Sequence, residues 1–397
     1  MNSAIEARGR LQYLDSARGF AALSVMIHHF IVTFELTAGL SDRAINPAGF
    51  FYYGQAAVLF FFIHSGFILS YSLSNRVQIT KSSAYIRFIV ERVFRIYPLF
   101  IFVVLLSYAL KQAFFPLSNP IYTTTHLRIY WVSKIDLIAL VKELTLLPSI
   151  NNGSTRMLVP QEWTAAIEIA VGLLIPLLLY FLKKIKRSWL YWLVVLFVIK
   201  ILKFNTFLFD FALGVFLFYH MEEIKKIWRK AAVPIKWLLP GAAVLCFTCF
   251  FQFASLFNTD RVFIKPGVDH AIVSLGCSLF FCLLISSTVL QRILAHPWLI
   301  HMGRICYSLY LVHMMILILF SDYAVRLLRQ VSGLPVSICI LLFFIFYLTL
   351  VFTISLLTYR FVEKPLNLLG KRLAKKAALL VVSAENRFFR KASRHEG

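Results

Sequence analysis

About ten stretches of this chain are apolar over lengths near 17–25 residues, each long enough to cross a bilayer as a helix. They fall near 17–37, 56–74, 94–112, 164–182, 188–203, 204–220, 233–252, 268–290, 305–321 and 336–358. No soluble fold has use for so many such runs, and 60% of the residues are hydrophobic, with 39 Phe among them. The expectation is an all-α polytopic membrane protein of about ten transmembrane helices. The least distinct boundary separates the fifth and sixth runs, which are divided only by Lys200, Lys203 and Asn205.

The charge balance is +23, from 41 Lys and Arg against 18 Asp and Glu. Basic residues accumulate on the cytoplasmic side of membrane proteins. Most of the 41 fall inside if both termini are cytoplasmic, including Arg8, Arg10, the run Arg76 to Arg95, Lys183 to Arg187, Lys225 to Lys230 and the tail after Lys364. This charge therefore orients the chain and faces membrane lipids. Its dispersal between spans, rather than on one soluble face, excludes nucleic acid as a partner. Asp15 and Arg18 precede the first apolar run and no small-residue cleavage site closes it, so a cleavable signal is not expected. All six cysteines lie in or beside spans, where they read as small core residues. Cys246 and Cys249 have a CxxC spacing but no His or Asp nearby, so no metal is expected. The reading is one integral-membrane domain, 1–365, with a basic cytoplasmic tail, 366–397.

Against this apolar background the ionisable residues stand out. A charge at bilayer depth costs roughly 2.5–3.5 kcal/mol or more, so such groups face a bundle interior or a wet path. Arg18 and His29 are eleven residues apart. At about 100° per residue they share a helix face to within about 20°, with His29 about 16 Å deeper. His28 points about 100° away. In the second span, His64, Ser65, Gly66 and Phe67 form a small, polar place among phenylalanines, readable as a helix-packing notch or as a narrow passage. Arg92 and Arg95, three apart and preceded by Arg87, put two guanidinium groups on one face just before Tyr97 and Pro98, an arrangement suited to a phosphorylated ligand. The long loop from Gln112 to Glu162 carries Tyr122 to His126 and an amphipathic patch near Ile135 to Leu147. It ends at Trp163, an interfacial aromatic, and Glu168 follows inside the fourth span, where a histidine is its expected partner. Asp210 is a second intramembrane acid. Tyr310 and His313 share a face of the ninth span, and Glu363, at the end of the tenth, is expected to pair weakly at the surface.

These residues resemble the acyltransferase-3 family of integral-membrane O-acyltransferases over nearly the whole chain. The matching signatures are Arg18-x10-His29, the SGF of Ser65 to Phe67, Arg92-x2-Arg95-Ile-Tyr-Pro, Trp163-x4-Glu168, Gly303 to His313, and Glu363-Lys-Pro. Cys306 stands where the family usually has Ser, and IAVG follows Glu168 where a more polar, EQFY-like segment is usual. The resemblance implies a ten-helix bundle in the cytoplasmic (inner) membrane of a bacterium. It would take an acyl group, most often acetyl, from cytoplasmic acyl-CoA and place it on a hydroxyl of a polysaccharide or lipid-linked oligosaccharide, without a fused esterase-like domain.

That chemistry needs a base for the acceptor hydroxyl, an orienting group and oxyanion donors. His29 fits the general base, since imidazole titrates near neutrality, and Glu168 the orienting carboxylate. Arg18, Arg92 and Arg95 would hold the CoA phosphates. Ser65, Gly66, Trp163, Tyr310 and His313 would line the thioester and acceptor region, with the pantetheine arm passing the Ser65-Gly66 notch. The competing reading is a transporter or flippase of a glycan or lipid intermediate, which broken helices and repeated halves would favour.

Overall fold

The computed structural model describes residues 12–34, 36, 47–74, 82–114, 127, 130–131, 135–146, 158–185, 188–200, 205–252 and 267–392. Arg8, Arg10, the patch 122–126 and the segment 151–157 lie outside them. Every regular element among the described residues is helical. In chain order they are α1 (Gln12–Thr33), a 3-10 turn (Pro47–Phe51), α2 (Gly54–Ser74), α3 (Ser82–Phe114), α4 (Leu137–Thr145), α5 (Glu162–Gly172), α6 (Ile175–Lys184), α7 (Ser188–Lys200) and α8 (Leu208–Tyr219). There follow α9 (Met221–Lys230), α10 (Val233–Gln252), α11 (Val268–Ser286), α12 (Thr288–Leu294), α13 (Pro297–Arg304), α14 (Cys306–Ser332), α15 (Val336–Thr358), a π-helical turn (Tyr359–Glu363) and α16 (Lys364–Ala392).

Four helices among the described residues are long and apolar enough to cross a membrane: α2, α3, α11 and the α15 to α16 rod. The number rises to six if two bent pairs each make one span. The sequence runs suggested about ten. The difference comes from apolar helices that are too short, α7, α8 and Val233–Cys249 of α10, and from α1, which spends its length on Asp15, Arg18, His28 and His29. The fourth expected span is broken between α5 and α6 by 43°, and the ninth is preceded by a 66° bend between α13 and α14. Gly172 and Pro176 flank the first break and Gly303 precedes the second, residues that weaken helix continuity.

Small residues let the helices approach backbone to backbone, as expected where lipid is as apolar as the side chains. A Cβ on Gly66 would collide with the Phe211 carbonyl, and one on Gly214 with the Ile63 carbonyl, so α2 and α8 cross in near contact. The open side of Gly66 is thus filled by α8, the helix-packing notch that was one of its two readings. At Gly19 and Gly303 α1 meets α13 in the same way, which fixes the depth of Arg18. α4 begins where the Asp136 carboxylate accepts the Ala139 amide at 2.7 Å, and it ends at Leu146 in a left-handed conformation with φ 58°. It buries Leu140 and Glu143 while Leu137, Ile138 and Val141 stay exposed, the amphipathic helix the sequence patch implied.

Candidate active site

Six helices and the π turn converge on a chamber of about 420 Å3. α1 brings Asp15 and Arg18, α2 His64 and Ser65, α3 Glu91, Arg92 and Arg95, α5 Glu168, and α13 Arg304. The π turn and α16 add Tyr359, Glu363, Lys364, Asn367 and Lys371. Six of these side chains are cationic and four are acidic. Arg92, buried, donates through Nη2 to the Glu168 carbonyl at 2.9 Å and to its Oε1 at 3.1 Å. Ser65 Oγ donates to the same Oε1 at 3.4 Å. Space for the guanidinium exists because residue 172 is glycine: a Cβ there would lie 2.7 Å from Arg92 Nε. Glu168 is thus partnered by an arginine and a serine, where the sequence suggested a histidine. Glu363 is also not the surface acid expected. It is buried and accepts from Ser308 Oγ at 2.8 Å.

Behind the chamber lies a second, apolar cavity of about 40 Å3, lined among others by Phe61, Phe62, Thr164, Cys306, Tyr307 and Tyr310. Arg18, Ser65 and Glu168 line both cavities. They therefore form the neck between a large, charged space and a small, mostly apolar one. Tyr307 is held there by donating to the Ile96 carbonyl at 2.9 Å.

The acyltransferase-3 family model, an acyltransferase domain, matches residues 11–360. The chain belongs to this family. No curated relative and no solved structure matches it significantly. The match and the apolar helices make this a membrane acyltransferase.

In this acyltransferase the histidines sit beyond the inner cavity. The ring of His29 lies 5.3 Å from that of His313 and 5.4 Å from that of His28, and His313 is 5.8 Å from the Tyr310 ring. Neither His29 nor His313 lines the two cavities, whereas Tyr310, the ring neighbour of His313, lines the inner one. His313 is fully buried, and its Nδ1 lies 2.7 Å from the Tyr310 carbonyl. A carbonyl can only accept, so Nδ1 carries the proton and Nε2, which has no hydrogen-bond partner, presents a lone pair. His28, by contrast, is fixed: its Nδ1 is 3.1 Å from the Tyr52 carbonyl, and its ring fills the space beside Gly54. Gln161 Nε2 donates to the carbonyls of Tyr310 at 2.7 Å and Leu311 at 3.0 Å, tying the start of α5 to α14. Trp163 packs against Phe207 at 5.4 Å and Phe62 at 6.3 Å and lines neither cavity.

Some groups stood out in the sequence without any signal of what they meet. Asp210 accepts from Ser274 Oγ at 2.6 Å and meets His270 Nε2 at 2.7 Å, joining α8 to α11 across sixty residues of chain. His64, buried with Nε2 unpartnered, lines the chamber beside the neck.

Proposed function

We propose that the protein transfers an acetyl group from cytoplasmic acetyl-CoA to a hydroxyl of a polysaccharide or lipid-linked oligosaccharide at the bacterial inner membrane. The observation that carries this reading is the chamber with its neck and inner cavity. The chamber offers Arg92 and Arg95 to phosphates, as charge-assisted, bidentate-capable donors. The inner cavity, at about 40 Å3, has room for about three water-sized bodies. That suits the carbon and oxygen atoms of an acetyl group and not a fatty chain.

In this reading the nucleotide stays in the chamber and the thioester passes the neck. His29 takes the proton of an acceptor hydroxyl arriving from the histidine end, with Tyr310 as the movable partition between them. The hydroxyl oxygen attacks the thioester carbonyl, and Arg18 and Ser65 at the neck stabilise the oxyanion. The C–S bond then breaks, and the thiolate of CoA takes the proton back from His29. Glu168 holds Arg92 and Ser65 in place rather than orienting the base directly.

The bends at α5/α6 and α13/α14 are the kind of broken helix on which a transporter relies, so transport is the second reading. Purified protein given radiolabelled acetyl-CoA and a lipid-linked glycan separates the two. Transfer of label, with butanoyl-CoA used at least tenfold less well, supports the acetyltransferase; glycan movement across vesicles without label transfer supports the transporter.

A further inference from the structure

The family match ends at residue 360, yet the chamber does not. Lys364, Asn367, Leu368 and Lys371 of α16 form part of its wall. Their spacing of three, four and seven places them on one helix face. Two features hold that face in position. The buried Glu363, bonded to Ser308, anchors the helix at its start. About two turns further on, Gly370 lies against Phe94 of α3 so closely that a Cβ would collide with the Phe94 side chain. A basic helix that composition alone assigns to the membrane surface is therefore locked over the mouth of the chamber.

We propose that Lys371, assisted by Asn367, forms a subsite for the 3′-phosphate of the acyl-CoA nucleotide. The proposal rests on the acetyl-CoA reading given above. The chemistry of the donor gives the direction. Its thioester lies at one end of the molecule, its pyrophosphate in the middle and its 3′-phosphomonoester on the far, adenosine end. Arg18 lines the inner cavity as well as the chamber and so marks the thioester end. Lys371 is exposed at the rim, about 10 Å along α16 from Lys364. The phosphate farthest from the thioester therefore meets α16. A lysine suits it, because a compact ammonium matches a freely rotating phosphomonoester, whereas the arginine forks of α3 suit the fixed pyrophosphate.

Calorimetry on the full chain in detergent tests this with CoA and 3′-dephospho-CoA. The wild type is expected to bind CoA about tenfold more tightly than 3′-dephospho-CoA, the size of one charge-assisted contact. Lys371→Glu should remove that preference by weakening CoA more than it weakens 3′-dephospho-CoA, and Lys371→Arg should keep it. Equal affinity of the wild type for both nucleotides, or an equal loss for both in Lys371→Glu, overturns the subsite and leaves the donor reading standing. Binding of neither nucleotide overturns the donor reading and the subsite with it.

Discussion

At the chamber end, charge is gathered around space. Arg18, Arg92, Arg95, Arg304, Lys364 and Lys371 surround about 420 Å3, where Arg92 donates to Glu168 and its carbonyl. At the histidine end, polar side chains are spent on backbone. His28 takes the Tyr52 carbonyl, His313 and Gln161 take carbonyls of α14, and Glu143 takes the Val159 amide at 3.0 Å. A cation beside a cavity can turn toward an anion that enters, whereas a buried side chain that spends a hydrogen bond on backbone is fixed in orientation. The first end gathers charge around space, and the second fixes the orientation of His28, His313 and Gln161.

The comparison breaks most visibly at His29. His29→Gln is expected to lower kcat by about 10²–10⁴, the range for removal of a positioned base, with acetyl-CoA affinity unchanged, while His28→Gln lowers stability more than turnover. Equal loss of kcat at both positions would mean that the ring pair acts as packing. Arg92→Ala probes the other end. It should raise KM for acetyl-CoA about tenfold to a hundredfold with a smaller effect on kcat, because it removes donors that act on the bound nucleotide. A fall in kcat at constant KM would place the guanidinium in the chemistry.

The smallest effect is on stability. Glu143, on the amphipathic α4 outside the spanning helices, is buried beside Glu162. Burial foremost, then the Glu162 charge and the hydrogen bond the two share, raise its pKa from the ordinary 4.5 to about 9 against the opposing Val159 amide. The folded protein therefore holds a proton that the unfolded chain releases. This contribution is full below about pH 4.5 and is lost as pH rises toward 9. Tm followed by intrinsic fluorescence should fall across pH 5–9 in the wild type and fall less in Glu143→Gln. An unchanged slope would show that the carboxyl pair does not couple to folding.

Arg18, Arg92, Arg95, Glu168 and Ser65 were legible in the sequence because a polar group inside an apolar run is conspicuous, and the structure brings all five to the chamber. What could not be read was pairing across distance. Asp210 with His270, and Glu143 with Glu162, leave no periodic trace, and an acid on a short amphipathic helix looks solvated until its partner is known. Gly66 illustrates the converse, since a glycine between polar residues signals close approach without saying of what, and here it is α8. The lysines of α16 were read as topogenic charge because their phase relative to the bundle depends on five residues of π-helix.

Those five residues, Tyr359–Glu363, carry α15 into α16. A π turn holds one residue more than the α turn it replaces. Deleting a single codon there, that of the exposed Phe361 for instance, would turn the π turn into an α turn and leave the helices on either side in nearly the same phase. Lys364, Asn367 and Lys371 would then stay at the chamber wall and Gly370 against Phe94. The same deletion inside the α-helical part of α16 would instead turn every residue after it by about 100°, so the length of the chain is free to vary at the π turn and nowhere else along this rod.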